Sequence, residues 1–469
     1  MSVVGDSLPA PAPGAATSPP PGMNPRTWRL LHGPIVPTLL RLAWPNILVM
    51  TAQASTGLIE TWWVSRLGTD ALAGMALVFP GFMMMQMLSA GAFGGGISSA
   101  VARALGAGRR EDADALVLHA LLVSLGLGLL TSALFLVFGR PLYAAMGGQG
   151  ASLDAALAYS DVVFVGNLLV WLMNALASVI RGTGNMLVPA LVVCLGVLLL
   201  VPLSPLLIFG WGPVPALGIA GAGLAVVLTT LLMLVVLAWY VVSGRSVVRL
   251  RRAPLQRAHF TDILRVGAVG AVSTLQTSLT VVLTTGLVGA HGGPGAVAGY
   301  GTGARLEYLL IPLVFGIGAP LVALVGTNIG AGQRRRALRI ALIGGGLAFA
   351  LAEVVGLAAA AWPLAWLGLF GNDPQMLEVG SAYLRTVGPT YGFFGLGLSL
   401  YFASQGAGRL AWPLLGGLFR MVIAVGGGWL ALAFTGSLAW AFAALALALV
   451  VYGVTVGGAV AGGVWFRGR

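Results

Sequence analysis

Long apolar runs recur along the chain, each closed by a short polar or Gly/Pro-containing break. They predict helices near 38–65, 71–104, 114–138, 155–180, 186–210 and 218–243. A second set follows near 262–289, 295–329, 337–361, 377–404, 410–434 and 437–464. Each reaches the ~20 residues needed to cross a hydrocarbon core. Between the sets lies the basic segment "SGRSVVRLRRAPLQRAHF", residues 243–260. The pattern predicts an all-α integral membrane protein of twelve transmembrane helices. They fall into two pseudo-symmetric six-helix lobes, residues 26–242 and 261–469, joined by that segment. Residues 1–25 are rich in Pro, Gly, Ala and Ser and read as a disordered tail. They lack the basic head and apolar core of a signal peptide.

The two sets repeat one another. "LGAGR" at 105–109 matches "IGAGQ" at 329–333, and "RGTGNMLVP" at 181–189 matches "QGAGRLAWP" at 405–413. "LLRLA" at 39–43 resembles "ILRVG" at 263–267, and all three pairs share an offset of 224 residues. An even number of spans per repeat gives both lobes the same orientation, about an axis along the membrane normal. That arrangement suits alternating access at a site between two rocking lobes.

Polar residues interrupt the apolar runs at helical spacing. Asn46, Gln53 and Glu60 lie seven apart in the first helix, with Thr56 on the same face. Ser273, Thr277, Thr280 and Thr284 form one face of the seventh. Subtracting 224 places Thr277, Thr280 and Thr284 on Gln53, Thr56 and Glu60, so both stripes occupy equivalent faces across a central cavity. Asn167 and Asn174 lie seven apart in helix 4, and Gln86 sits among Met83, Met84, Met85 and Met87 in helix 2. Those methionines read first as ordinary helix packing and second as a lining that re-packs around varied ligands. A charge at the bilayer centre costs ~2.5–3.5 kcal/mol on insertion scales, so intramembrane acids face a cavity or a partner. Glu60, Glu307 and Glu353 are therefore candidates, with structural pairing the alternative for each. Arg305, two positions from Glu307, points to another face and needs its own partner. His119 in helix 3 reads as a packing or cavity residue, and Asp161 as interfacial.

Only 8% of residues are charged, against roughly 25% in a soluble domain. The net charge of +12 comes from arginine, since the chain contains no lysine. Twenty of the arginines share one side of a twelve-span topology. They precede helix 1, follow helices 2, 4, 8 and 10, fill the 243–260 segment with Arg265 beyond it, and end the chain. Three, Arg66, Arg140 and Arg385, take the other side. The heavy side is expected to be cytoplasmic, with both termini inside the inner membrane. The charge is thus a topology signal and implies no nucleic-acid partner.

No GxxxxGK[ST] or HExxH occurs, the four histidines are scattered, and the GAG triplets lack the third glycine of a dinucleotide loop. The lone Cys194 excludes an internal disulfide. Neither an enzyme, a cofactor nor a metal is expected. The expected partners are a small-molecule substrate and membrane lipid, and the expected unit is a monomer.

"ETWWVSRLGTDALAG", "SSAVARALGAGRREDADAL", "SVIRGTGN", "LLIFGWGPVPALGIAGAGLA" and "LVALVGTNIGAGQRRRAL" resemble the multidrug and toxic compound extrusion family, bacterial branch, over about residues 38–462. The resemblance implies an antiporter that exports amphipathic, often cationic, drugs as H⁺ or Na⁺ enters. It also implies an acid in helix 1 that binds the coupling ion, and Glu60 stands there. A carboxylate drawn out of water can load a proton on one side and release it on the other. The chain departs from the family pattern elsewhere. Leu200 and Ser204 in "LLVPLSP" replace the Asn and Asp of one branch, and Gln276 and Thr277 occupy the region where another branch has Glu. Either Glu60 works alone or Glu307 supplies a second acid. Missing oxygen ligands make H⁺ the expected ion rather than Na⁺. Alternatives are an exporter or flippase of one endogenous metabolite or lipid, and a receptor or scaffold without flux.

Overall fold

A computed structural model describes Pro19 and residues 23–466; the side chains of Thr51, Ala54, Ser55, Thr56 and Leu58 lie outside the description. The tail assigned to residues 1–25 also falls almost wholly outside it. Its last residue, Pro25, instead opens a helix, α1 (Pro25–His32), capped by Asn24 through a 2.9 Å bond from the Arg26 amide.

Long helices follow, and the chain makes twelve passages among the described residues. Six precede the linker: α2 (Ile35–Ser65), α3 with α4 (Thr69–Gln86, Gly94–Gly106), α5 (Arg110–Ala145), α6 with α7 (Gly150–Val165, Asn167–Gly182), α8 (Leu187–Phe209) and α9 (Ile219–Val242). A π-helical turn, Met87–Phe93, joins α3 to α4, and α6 meets α7 at a 44° bend. Next comes α10 (Arg257–Gly330), continuous over 74 residues. At 1.5 Å per residue it would run about 110 Å, too long for one crossing. Gly293, with φ 71°, breaks it just before Pro294, so it supplies two passages. The rest are α11 (Arg334–Ala361) with short α12 (Pro363–Leu367) after it, α13 with α14 (Pro374–Val387, Tyr391–Ala407), α15 with α16 (Ala411–Met421, Gly428–Thr435) and α17 (Leu438–Ala461). A second π-helical turn, Val422–Gly427, links α15 to α16.

Large apolar side chains cover the outside: Val137, Leu198, Val235 and Val354 are all exposed. In water such a surface would aggregate; in lipid it is the surface required, since the helices satisfy their own backbone groups.

The repeat is conformational as well as sequential. Gly108 and Gly332 have φ 73° and 74°, and Gly184 and Gly408 have φ 79° and 69°. Only glycine enters this left-handed region without strain. The same wrap closes both turns, Arg109 N to Ala104 O at 3.0 Å and Gln333 N to Asn328 O at 2.9 Å.

The linker is strapped to the first lobe. Asp114, buried in α5, accepts from the Arg249 amide at 2.8 Å and lies 3.6 Å from Arg251. His119 receives the Gln256 amide on Nε2 at 3.0 Å while Nδ1 meets the Ala115 carbonyl at 2.8 Å. His119 therefore fastens the linker and does not line a cavity.

Candidate functional site

The lobes meet tightly at the arginine-rich end. Ser99 of α4 donates to the Gln405 and Gly406 carbonyls of α14. Gln405 reaches back to the Gly91 carbonyl at 3.0 Å. Arg103 binds Gly406 O at 3.1 Å and pairs with Asp262 of α10 at 2.7 Å. Small residues permit this approach: a Cβ on Gly106 would collide with the Thr327 carbonyl, and one on Gly330 with Arg103 O. The amphipathic α1 docks here too, burying Leu30 and Leu31, its Leu30 carbonyl taking the Asn328 amide at 3.1 Å. Farther along the lobe interface, Gln53 of α2 and Thr277 of α10 are exposed. The lobes are thus closed against each other at the arginine-rich end, and one residue of each stripe is exposed beyond that closure.

In the first lobe, Glu60 lies one turn from the end of α2 and is partly buried. Its Oε1 is shut off from solvent and has no hydrogen-bond partner among the described residues. Trp63 Nε1, three residues on, and Ser204 Oγ on the adjoining α8 are likewise buried and unpartnered. The phenol of Tyr159, on α6, is an electrostatic neighbour of Glu60. Orphaned buried polar atoms are uncommon, and each calls for an explanation such as strain, a functional role, or a water or ion. Asn46, at the buried end of the stripe, folds its amide onto the Leu42 carbonyl at 3.3 Å. Thr56 lies outside the described side chains.

The other polar residues of this lobe tie helices together. Asn174 donates to Gln86 Oε1 at 3.1 Å and Ser89 Oγ at 2.8 Å, pinning α7 to the π-helical turn. Asn167 donates to Thr131 at 2.9 Å and Ser132 at 3.4 Å, pinning α7 to α5. The seven-residue spacing identified a real polar face, but that face meets neighbouring helices. Asn167, Asn174 and Gln86 hold the lobe together and do not form a free cavity wall.

In the second lobe, Glu307 of α10 is fully engaged. Arg420 of α15 approaches Oε1 at 2.7 Å, and the Tyr383 hydroxyl donates to Oε2 at 3.3 Å. Arg420 also stacks over Phe394 at 5.0 Å and Tyr452 at 5.9 Å. The pair borders a cavity of about 50 Å³ that includes Thr277, Thr280, Thr284 and Tyr300. Thr284 joins it through a 3.0 Å bond to the Tyr300 hydroxyl. Gln276 and Thr277 also line a neighbouring space. The threonine stripe and Glu307 thus come together around one cavity. Sequence reasoning missed Arg420, Tyr300 and Tyr383. A signal existed: Arg420, like Arg305, is an arginine inside an apolar run that belongs to neither side of the topology.

Two further candidates sit elsewhere. Glu353 Oε2 accepts the Gly392 amide at 2.8 Å, capping the first turn of α14 and satisfying a backbone donor that lipid would leave bare. Arg305 is exposed and lies over Phe370 at 5.5 Å, away from the cavity.

The family model MatE matches residues 45–206 and again 269–430, the second match displaced from the first by the same 224 residues. The FAD transporter of Shewanella oneidensis is 32% identical over 381 residues, spanning 80% of this chain and 82% of that protein. The probable multidrug resistance protein NorM of Deinococcus radiodurans is 30% identical, spanning 72% of this chain and 74% of its own. Among solved structures, an outward-facing conformation of a multidrug resistance MATE family transporter superposes with a TM-score of 0.82 at 25% identity. It covers 95% of this chain and 98% of that one. MATE in the straight conformation superposes at 0.84, also at 25% identity, covering 94% and 99%.

Proposed function

The chain belongs to the MatE family, the multidrug and toxic compound extrusion transporters, and from that premise we propose a proton-coupled antiporter that expels amphipathic small molecules by alternating access. It is a multi-pass membrane transporter and not an enzyme. In the proposed cycle the arginine-rich end is cytoplasmic, the membrane is the inner membrane, and a monomer is the working unit. With that orientation, closure at that end by Ser99, Arg103 and Gln405 reads as an outward-facing state. Glu60 takes a proton there, and opening of the opposite side releases it as substrate binds.

One observation carries this reading: the partly buried Glu60 carboxylate with an unpartnered oxygen, on the face of α2 that bears Gln53. An ionised carboxylate without a partner is costly in such a place, so it takes a proton or a cation. The two exclude each other at one group, which is the requirement for exchange. The experiment is ethidium flux in proteoliposomes under an imposed pH gradient and, separately, a Na⁺ gradient. Flux driven by the pH gradient and lost in Glu60→Gln supports the reading. Flux driven by Na⁺ reassigns the ion, and pH-driven flux that survives the substitution removes Glu60 as carrier.

A second reading, export of one endogenous metabolite, draws support from Arg420. A cation at this depth is ill suited to a pocket for cations alone, and the Shewanella relative is a FAD transporter by name.

A further inference from the structure

Arg420 has more donors than partners. A guanidinium carries five N–H groups, yet among the described residues Arg420 makes one hydrogen bond, to Glu307 at 2.7 Å. Its side chain is 13% exposed, and no unpartnered nitrogen of it is sealed from open space. The guanidinium carbon lies over the Phe394 ring at 5.0 Å and the Tyr452 ring at 5.9 Å. Its remaining N–H groups are unpartnered among the described residues, and the side chain lines two spaces.

Two spaces meet at this residue. One, about 50 Å³, contains Glu307. The other, about 30 Å³, contains Ser273, Gln276, Thr277 and Tyr401 and no carboxylate. The side chains of Gln276 and Tyr401 make no hydrogen bond among the described residues, so each offers a spare donor there. Thr277, which is exposed, borders both spaces. A water needs roughly 10–15 Å³ of such volume, so the second space admits a head group and not a whole amphipath.

A planar fork with free N–H groups, beside an amide and a phenol, is the chemistry that holds an oxyanion. Glu307 neutralises the guanidinium on its far side. The empty site is therefore electrically balanced, which makes an arginine tolerable at this depth. It leaves the near side free.

We propose that Arg420 is the substrate-recognising cation of the C-terminal lobe, and that it takes a carboxylate or phosphate of an amphipathic substrate in the space opposite Glu307. This rests on the transport function proposed above and names the substrate class: molecules bearing an oxyanion, alone or beside a cationic group. The two lobes then select opposite charges, Glu60 a cation or proton and Arg420 an anion.

The test is equilibrium binding to the purified full-length protein in detergent. FAD serves as the phosphate probe, 6-carboxyfluorescein as the carboxylate probe and ethidium as the cation. In Arg420→Gln, affinity for the anions relative to ethidium falls about tenfold or more, the scale of one charged hydrogen bond. Arg420→Lys keeps part of the preference. Glu307→Gln removes the competing carboxylate and tightens anion binding. Loss confined to FAD assigns a phosphate, and loss confined to carboxyfluorescein assigns a carboxylate. Wild type that binds neither anion overturns the proposal, as does Arg420→Gln weakening ethidium equally. Should Arg420→Gln not fold, Glu307→Gln decides alone: unchanged or weaker anion binding overturns it. Gradient-driven flux is a separate readout, so Arg420-dependent binding without flux sinks the transport reading and leaves the anion site standing.

Discussion

Each lobe holds a carboxylate beside its polar stripe, and the two are kept in opposite ways. Glu60 has a buried oxygen with no partner among the described residues, and the Trp63 indole and the Ser204 hydroxyl, in the same and the adjoining helix, are likewise unpartnered. Glu307 has both oxygens engaged, by Arg420 and by Tyr383. The polar stripes that flank them occupy repeat-equivalent positions, Thr284 standing 224 residues beyond Glu60. An internal duplication preserves the helices, the turns and even the glycine dihedrals, while the charge chemistry diverges. An unpaired carboxylate can change protonation state at little structural cost. One locked to a guanidinium cannot, because protonating it strands the arginine. The proposed coupling role is accordingly given to Glu60 and the pairing role to Glu307.

The comparison can be broken most sharply at Glu60. Glu60→Gln removes the group that titrates while keeping its shape, and abolishes pH-driven flux; ethidium efflux from proteoliposomes reads it. Next comes the pair. Arg420→Ala leaves Glu307 without its counter-charge, a loss of about 3–5 kcal/mol for a buried ion pair. Thermal unfolding in detergent shows that drop. Glu307→Gln with Arg420→Gln, removing both charges, recovers most of it. If the double variant is as unstable as the single, the pair is not acting as a charge couple. Smaller still is Glu353→Ala, which strips the cap from the Gly392 amide and costs about 1 kcal/mol, with no effect on the flux ratio of anion to cation. The least is Asp262→Asn at the inter-lobe bridge to Arg103. Asp262 is 47% exposed, and such pairs contribute ~0–1 kcal/mol. Its readout is access: a cysteine at Ser99, in a Cys194→Ser background, labels faster from the arginine-rich side when the bridge is gone.

The sequence carries the helices and the repeat in plain sight because both are periodic. Twelve apolar runs, a 224-residue offset and a seven-residue stripe each leave a regular trace, and Glu60 stands out as a charge within one of them. What pairs with what leaves no such trace. Arg420 and Glu307 are 113 residues apart in the chain, and Gln256 reaches His119 across 137. Polarity at 167 and 174 is legible, but whether a polar face meets a cavity or a neighbouring helix depends on packing that spacing does not encode. The α1 helix escaped notice because eight residues are too few to show a period. The break in α10 was foreshadowed by the gap between the expected helices at 289 and 295, where Gly293 and Pro294 stand.

The most direct measurement is proton release on substrate binding. Purified protein in weakly buffered detergent solution is mixed with ethidium, and protons released are counted per ethidium bound. The account predicts release from wild type and from Glu307→Gln, and none from Glu60→Gln. Release that persists without Glu60 and vanishes without Glu307 would contradict it, and would move the coupling site to the other lobe.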